Sequence, residues 1–395
     1  MKNLFLVFFI AVCSVTISHS QSVEDIINAV SNANLQVSVA ELSGEQAAII
    51  GGTPQTIVSR VYNENDLAAN YIAERLAELP NLEVSVQNFN TSGKNIIGIQ
   101  WGETNPGDIY MICAHYDSVT TYCADDNATG VAAVMEIARI LSNYSTDNTI
   151  IYALWDEEEI GLRGSNFYAE QAADSSNGNT RDNILGVINM DMIGYDGDAA
   201  GTAGDNQFDI DVRDFANSLT IKDDLLNLLD TYTFDLEPIV VNPGTSASDH
   251  SRFWNQDYSA VLVGESWETN DQTPDYHSSG DRADDLDFQY MTELTKLVAS
   301  YVASKAVLIP SLSEDEFAIS EIKLFPNPVA SIINIKNRLG LALNISINGI
   351  SGKQISTTTS EKANIEIDVE NESAGIYFVT ISSAFKTSTF KVVKE

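Results

Sequence analysis

The sequence predicts an α/β protein, with a mixed central β-sheet sandwiched by helices, followed by a small all-β sandwich. Two observations carry this prediction. Between residues 21 and 308, short apolar strands alternate with amphipathic helices, the order typical of a sheet covered on both faces. After residue 308 the chain has only short alternating strands separated by turns.

Charge divides the 395-residue chain in the same way. Residues 21–320 hold 12 Lys and Arg against 49 Asp and Glu, whereas residues 321–395 hold 8 against 7. The net charge of the whole chain is −35, so it lacks the basic surface that a nucleic-acid partner requires. At 44% hydrophobic residues it can bury a large core. We therefore expect two domains, residues 21–308 and 319–395, joined by a linker at 309–318.

Residues 1–20 have the pattern of a signal peptide. Lys2 precedes an apolar run at residues 4–17, and the small residues Ser18 and Ser20 place the cleavage before Gln21. The run is short for a membrane span, and no later stretch approaches about 20 apolar residues. We expect a protein that is secreted or displayed at the cell surface, exported through the periplasm, with no membrane span after cleavage. A single N-terminal anchor is the alternative.

Export makes disulfides chemically accessible, but the mature chain has only Cys113 and Cys123. Two interpretations stay open: the two pair across a short loop, or both are buried free thiols.

The elements follow from hydrophobic periodicity. A stripe including Leu67, Tyr71 and Leu76 predicts a helix, and the almost wholly apolar run at 108–114 predicts a strand buried on both faces. The same reasoning predicts helices at 22–33, 65–79, 130–144, 165–174, 223–231 and 286–308. It predicts strands at 83–89, 95–101, 108–114, 149–154, 184–193, 238–242 and 260–264.

The C-terminal segment is predicted to be a β-sandwich. Its strands are expected at 322–325, 332–335, 345–347, 365–369, 376–381 and 389–393. Turns are predicted at Asn348-Gly349 and Ser351-Gly352. It contains no His and no Cys, so catalysis is expected in the larger domain.

Polar residues collect where the predicted strands end. Apart from His19, the histidines are His115, His250 and His277, each at the end of a strand or just beyond it. Ligand sites of open α/β sheets gather at that edge. Carboxylates follow the same rule: Asp117 after one strand, Asp125 and Asp126 at the start of the next helix, residues 156–159 after another strand, and Asp191 inside the end of strand 184–193.

Each of these residues also has a purely structural interpretation. His115 could be a satisfied core histidine, and Asp191 a buried carboxylate satisfied by hydrogen bonds. Asp125 or Asp126 could cap a helix, and residues 156–159 could be a solvated loop. Adjacent acids repel unless a cation compensates them, which favours a metal site. Two histidines and three carboxylates suffice for two zinc ions that share one carboxylate, and a further carboxylate can act as general base.

Six motifs in order resemble the co-catalytic di-zinc aminopeptidases, the family of secreted bacterial leucyl aminopeptidases, to which glutamate carboxypeptidase and glutaminyl cyclase are related. The similarity covers roughly residues 40–306. The motifs are His115-Tyr-Asp117, Ala124-Asp-Asp-Asn-Ala-Thr-Gly130, Glu158-Glu-Ile-Gly-Leu-Arg-Gly-Ser165, Asn189-Met-Asp191-Met, Ser248-Asp-His250, and Tyr276-His277 with Asp281.

The resemblance implies a role for each position. His115 and Asp191 would hold one zinc, Glu159 and His277 the other, and Asp126 would bridge the two. Glu158 would be the general base, and Asp117 would orient His115. Glu157 would be an extra acid, and Asp249 and His250 would lie behind the ligands, although the residues alone leave His250 open as a ligand.

The C-terminal segment resembles a type IX secretion sorting domain. The similar motifs are Leu324-Phe-Pro-Asn-Pro328 and Gly375-Ile-Tyr-Phe-Val379. The resemblance implies that outer-membrane secretion machinery recognises residues 319–395. A carbohydrate-binding or adhesive module is the alternative.

The function implied is hydrolysis of N-terminal residues from peptides by a zinc-bound water that Glu158 activates. An acidic rim would favour a free α-amino group. A zinc carboxypeptidase is one alternative, and its cations would come from Arg163, Arg252 or Arg282. A glutaminyl cyclase with one zinc is another, and a non-enzymatic calcium-binding adhesin is the third. The loop from Asp196 through Asp198 to Asp205 is compatible with structural Ca²⁺ or with plain solvation.

Overall fold

The structure is a computed structural model that describes residues 19–176, 178–197, 205–309, 322–337, 343–349, 353–360, 362–382 and 387–395. The chain divides into two compact units after Pro310. The predicted signal peptide falls outside the described residues except for His19 and Ser20. The predicted bounds at 308 and 319 stay a prediction, because residues 310–321 are not described. No helix in the described part of the chain is long and apolar enough to cross a membrane.

The first unit is built on an eight-stranded mixed sheet, in the order β10-β9-β11-β8-β5-β7-β4-β3. Strands β7, β5, β8 and β11 run parallel, and β3, β4 and β9 are antiparallel to a neighbour. The sheet strands are β3 Glu83–Asn88, β4 Lys94–Gln100, β5 Asn105–His115, β7 Asn148–Trp155, β8 Asn183–Met190, β9 Gln207–Asp211, β10 Glu237–Val241 and β11 Ala260–Glu265. Two small pairs accompany it: β1 Ala48–Ile50 with β2 Thr53–Gln55, and β6 Ser145–Thr146 with β12 Leu308–Ile309.

Helices cover both faces of this sheet, which explains why its central strands are apolar throughout. Alternate residues of a strand point to opposite faces. Ile112 and Tyr152 join the larger core under most of the helices, whereas Met111 and Ala153 join a second core under α5 and α7. The helices are α1 His19–Ala29, α2 Asn32–Leu42, α3 Asp66–Ala77, α4 Gly130–Leu141, α5 Arg163–Ala173, α6 Ser218–Thr231, α7 His250–Trp254 and α8 Phe288–Ala306.

The second unit has two antiparallel sheets around one core. Ile335 and Ile365 of one sheet and Ile345 and Val379 of the other belong to the same buried cluster. The three-stranded sheet has β13 Ile322–Phe325, β14 Ile332–Asn337 and β17 Asn364–Asp368. The four-stranded sheet has β15 Leu343–Gly349, β16 Gln354–Ser360, β18 Gly375–Ser382 and β19 Thr387–Lys394. The predicted fold class, a helix-covered mixed sheet with an all-β C-terminal part, is confirmed.

Several details differ from the prediction. Asn348 and Gly349 lie in β15, where they pair with Phe378 and Tyr377, so the turn predicted at these two residues is wrong. Ser351 and Gly352 are outside the described residues. The structure also contains elements that were not predicted: α2, α7, β9, β16 and the β1–β2 hairpin. The two cysteines are both buried and free, which decides the open question of their pairing.

Candidate metal centre

The parallel strands bring the predicted site residues to one edge of the sheet. His115 is the last residue of β5, and Glu158 and Glu159 follow the end of β7. Asp191 was predicted inside a strand, but β8 ends at Met190, so Asp191 is the first residue beyond it. The chain turns away at Met192, which has a positive φ of 54°. Asp191 therefore faces the site from a turn.

One group of donor atoms surrounds His115. Its Nε2 lies 3.2 Å from Oδ1 of Asp191 and 3.3 Å from Oδ1 of Asp126. A carboxylate oxygen of Glu158 is also within 4.8 Å of the His115 and Asp191 donor atoms.

A second group surrounds His277. Its Nε2 lies 3.4 Å from Oδ2 of Asp126 and 3.3 Å from Oε2 of Glu159. Asp126 therefore presents one oxygen to each group. All five residues that the resemblance assigns to metal binding lie in one place.

These separations suit tetrahedral zinc. Ligand atoms about 2.0–2.1 Å from the ion lie about 3.3 Å from one another, which is the spacing of the donor pairs in both groups. Oδ2 of Asp126 and Oε1 of Glu159 are also buried without a hydrogen-bond donor among the described residues. Buried carboxylate oxygens without donors are costly unless a cation compensates them. The residues present therefore fit a pair of metal ions.

Asp117 organises the site from behind. Its backbone oxygen lies 3.2 Å from Nδ1 of His115, and its carboxylate lies 3.6 Å from the same nitrogen. The carboxylate also accepts the backbone amides of Glu158 at 3.0 Å and Glu159 at 3.2 Å. Asp117 thus fixes the His115 ring and the loop that carries both glutamates.

The sequence predicted that Asp126 lies at the start of a helix, but in the structure it lies in a turn before the helix. The backbone leaves helical geometry at Asp126 (φ −96°, ψ 92°), and α4 begins at Gly130. Asp281 accepts the amides of Asp125 at 2.7 Å and Asp126 at 2.9 Å. Asp125 accepts the amide of Gly194 rather than capping α4. Hydrogen bonds outside the helix therefore hold the turn.

Negative charge is concentrated at the centre. Burial, together with neighbouring carboxylates, raises the pKa of Glu158 and Glu159 far above the ordinary value for glutamate. Burial alone would lower the pKa of His115, but the carboxylates of Asp191 and Glu158 hold it well above its ordinary value. Two bound cations would relieve this repulsion.

Arg60 supports the site although it was not among the predicted site residues. Its guanidinium is buried and donates to the backbone oxygens of Tyr116 and Leu42, both at 2.9 Å. It also donates to those of Tyr122 at 2.9 Å, Cys123 at 2.7 Å and Asp126 at 3.3 Å. The segment around Arg60 carries no motif, so these contacts could not be expected from the sequence. Arg60 ties the end of β5 to the Asp126 turn.

The two acids before Glu158 accept hydrogen bonds that hold the loop. Oε2 of Glu157 accepts from Asn90 at 2.8 Å and from Arg163 at 3.2 Å. Asp156 accepts the amide of Lys94 at 3.0 Å. Glu157 is therefore placed as an extra acid beside the site, as the resemblance implied.

His250 does not join either group of donors. It is buried, its Nε2 lies 3.0 Å from the backbone oxygen of Thr245, and its ring packs edge-on against Trp254 at 4.4 Å. Asp249 is hydrogen-bonded to Ser165. Interpreting His250 as a ligand is therefore wrong for this arrangement.

The metal centre opens into a cavity of about 590 Å³. Among the described residues that line it, Arg213 is the single Arg or Lys. Arg163 and Arg252 line a different recess, and Arg282 binds Glu45. The other lining residues include Asp209, Asp211, Leu262, Trp267, Glu268 and Tyr276.

Gly264 in this wall has a packing role. A Cβ at this position would lie 2.5 Å from the backbone oxygen of Asp191. The absence of a side chain lets β11 approach the turn that carries Asp191.

Two of the acids in the predicted calcium loop lie close together with a third acid from another loop. Oxygens of Asp196, Asp205 and Asp271 lie within 4.8 Å of one another. Asp198 is outside the described residues. Exposed acids often cluster without an ion, so calcium here stays a prediction.

Comparison with known proteins identifies the class. Residues 95–302, more than half of the chain, match the model of Peptidase family M28. The chain therefore belongs to Peptidase family M28, which confirms the predicted family resemblance. Residues 323–395 match the Secretion system C-terminal sorting domain. This second match confirms the prediction of a secreted or cell-surface protein.

Individual relatives are more distant. The chain is 26% identical over 278 residues to Aminopeptidase YwaD of Bacillus subtilis, covering 67% of this chain and 58% of that one. It is 32% identical over 115 residues to a Probable zinc metalloprotease of Pyrenophora tritici-repentis, covering 27% and 23%. The chain thus spans less than two thirds of the length of both. The structure of LapB from Legionella pneumophila is similar in fold, with a TM-score of 0.62, 19% identity and 74% and 76% of the two chains covered.

Proposed function

We propose that this protein is a zinc-dependent exopeptidase that removes N-terminal residues from peptides. The observation that carries the proposal is the position of Asp126, whose two carboxylate oxygens face His115 and His277 at 3.3 and 3.4 Å. Membership of Peptidase family M28 and the names of two relatives, an aminopeptidase and a probable zinc metalloprotease, support it.

Two zinc ions would occupy the site. His115 and Asp191 would hold one, Glu159 and His277 the other, and Asp126 would bridge them. Nitrogen and carboxylate donors at tetrahedral spacing are typical of zinc. When bound, zinc supplies a water of lowered pKa and polarises the carbonyl of the bond to be cleaved.

Glu158 is suited to the proton transfers. Its carboxylate accepts no hydrogen bond from the described residues, while its backbone amide is fixed by Asp117. It also lines the cavity. We assign it to accept a proton from the attacking water and to return that proton to the leaving amine, the two halves of general base and acid catalysis.

Asp117 would act on the reaction through other residues. It fixes the orientation of His115 by its contacts with Nδ1, and a carboxylate behind a ligand histidine raises the basicity of the ring. It also holds the amides of Glu158 and Glu159 in place. It is therefore a positioning residue.

The charge of the cavity favours a substrate with a free amino group. The carboxylates of Asp209, Asp211 and Glu268 outnumber the single guanidinium of Arg213. A carboxypeptidase needs a cation for the terminal carboxylate. None of the three arginines proposed for that role lines the cavity, although Arg213 does.

A glutaminyl cyclase is the second alternative, and it differs in metal content. One zinc would leave one of the two donor groups, at His115 or at His277, without the ion that its spacing accommodates. Metal content and a cyclisation assay on glutaminyl peptides separate the two functions.

Residues 319–395 are proposed to be recognised by the type IX outer-membrane secretion machinery, on the basis of the sorting-domain match. Deletion of these residues should retain the protein inside the cell while leaving the first unit folded. Export of the truncated chain would contradict this role.

The proposed activity is tested with peptides of one sequence in two forms, with a free or an acetylated N-terminus. We expect the full chain with zinc to release the first residue of the free form only, and to lose activity with a chelator. Cleavage confined to the acetylated peptide, or release of C-terminal residues, would refute the aminopeptidase assignment.

A further inference from the structure

The wall of the cavity carries acids on a sheet face that would ordinarily be apolar. Asp209 and Asp211 are two residues apart on β9, so they lie on the same face. They pair with Gly264 and Leu262 of β11, which also line the cavity. Both aspartates are buried, with 3% and 6% of their surface exposed. Burying carboxylates at this position has a cost that calls for a reason.

The burial of Asp209 is explained by its hydrogen bonds. Its Oδ1 accepts from the hydroxyl of Ser266 at 2.7 Å. Its Oδ2 accepts the amides of Trp267 at 2.9 Å and Glu268 at 3.2 Å. Asp209 therefore holds the loop that places Glu268 at the cavity.

Only one of the two carboxylate oxygens of Asp211 has a hydrogen-bond donor among the described residues. Its Oδ1 accepts the amide of Thr245. Its Oδ2 accepts no hydrogen bond from any described residue, although the side chain lines the cavity. Burial is the main cause that raises the pKa of this carboxyl to about 6; Asp209 and Glu268 also raise it, whereas the amide of Thr245 and the charge of Arg213 act in the opposite direction. A positive group that entered the cavity would satisfy the free oxygen and favour the ionised form.

The charge of Arg213 favours the ionised form of Asp211, but Arg213 does not bind the free oxygen. Its Nε donates to the backbone oxygen of Gly244 at 2.8 Å, and its guanidinium lies over the ring of Trp254 at 5.4 Å. No hydrogen bond or close ion pair joins Arg213 to Asp211 in the described part of the chain.

We propose that the cavity binds a basic first residue, lysine or arginine, with its cation at Asp211 and Glu268. This inference rests on the proposed aminopeptidase function and names its substrate class. Leu262 and Val241 would contact the aliphatic stem, as apolar surface does for long basic side chains. A cavity of about 590 Å³ is large enough for such a side chain.

The test compares four reporters that differ only in the first residue: Lys, Arg, Leu and Glu. We expect kcat/KM to be highest for Lys and Arg. In Asp211→Asn, the amide oxygen can still accept from Thr245, but the charge is lost. The ratio of kcat/KM for Lys over Leu should fall about tenfold or more, the size of a charged hydrogen bond.

Two further variants keep the test decisive. Glu268→Gln changes an exposed residue and should lower the same ratio by a smaller factor. Asp230→Asn removes an equal charge from the exposed side of α6 and should leave the ratio unchanged. A fall in Asp230→Asn equal to that in Asp211→Asn would show a long-range charge effect and contradict the inference.

The outcomes separate this inference from the function on which it rests. Hydrolysis of no reporter would refute the aminopeptidase function and this inference with it. Hydrolysis that favours Leu or Glu, with a ratio unchanged in Asp211→Asn, would refute the basic preference alone. Binding of a Lys-Ala dipeptide to zinc-loaded Glu158→Gln, measured by calorimetry, gives a second readout. It should be tighter than binding of Leu-Ala, and equal affinity would also contradict the preference.

Discussion

Replacement of Arg60 by methionine should destabilise the first unit more than any change of a surface arginine. Methionine keeps part of the side-chain volume but removes all donors. Five backbone oxygens then lose the partner that now lies 2.7 to 3.3 Å away. Arg60 is 2% exposed, so water does not readily replace it.

The magnitude follows from these five contacts. A buried polar group left without its hydrogen bond costs about 1–3 kcal/mol. At the lower value the five carbonyl oxygens sum to about 5 kcal/mol, and local relaxation should leave a loss of roughly 3–5 kcal/mol. Because Asp126 is one of the five residues, zinc affinity should fall as well.

The assay is urea unfolding of the full chain in a chelator, followed by tryptophan fluorescence. All four tryptophans precede residue 311, so the signal reports the first unit. Arg75→Met is the control, because Arg75 is partly exposed and pairs with Glu78 at 3.7 Å. It should cost less than about 1 kcal/mol. A loss below about 1 kcal/mol in Arg60→Met, with normal zinc affinity, would refute the reasoning.

Two further predictions concern catalysis and acid stability. Glu158→Gln should keep the fold and the zinc while turnover falls by about 10²–10⁴-fold, measured with an unblocked reporter; retained turnover would remove Glu158 from the proton transfers. Burial lowers the pKa of His250 from 6.5 to about 4. Between these pH values the histidine is protonated in the unfolded chain but neutral in the folded chain, so the folded state loses stability as the pH falls from 6.5 to 4. Between pH 6.5 and 4, the free energy of unfolding of His250→Phe should therefore fall by about 3 kcal/mol less than that of the natural chain. Parallel curves for the two proteins would contradict the burial argument.

The central strands and the grouping of the proposed ligands were predictable because their signals are local. Strands β5, β7 and β8 contain long apolar runs, and a motif lies at or just beyond the end of each. The parallel arrangement then brings His115 and Asp191 together at one edge. The sequence could not predict that Asp191 leaves the strand, since that depends on the turn at Met192.

The wall of the cavity was not predictable in the same way. Residues 208–212 alternate apolar and acidic side chains, the pattern of a strand with one face in water. In the structure that face lies under the loops that carry Thr245 and Glu268, so the acids become part of a cavity. Arg60 was equally hidden, because its partners are backbone oxygens spread from residue 42 to residue 126.

The most direct test of the account is the number of zinc ions that each chain holds. After loading and extensive dialysis, elemental analysis should find two per chain in the natural protein and in Asp230→Asn. Asp126→Ala should retain neither ion tightly, because it removes the carboxylate whose two oxygens lie 3.3 Å from His115 and 3.4 Å from His277. A single zinc in the natural protein, or two tightly held ions in Asp126→Ala, would contradict the shared site.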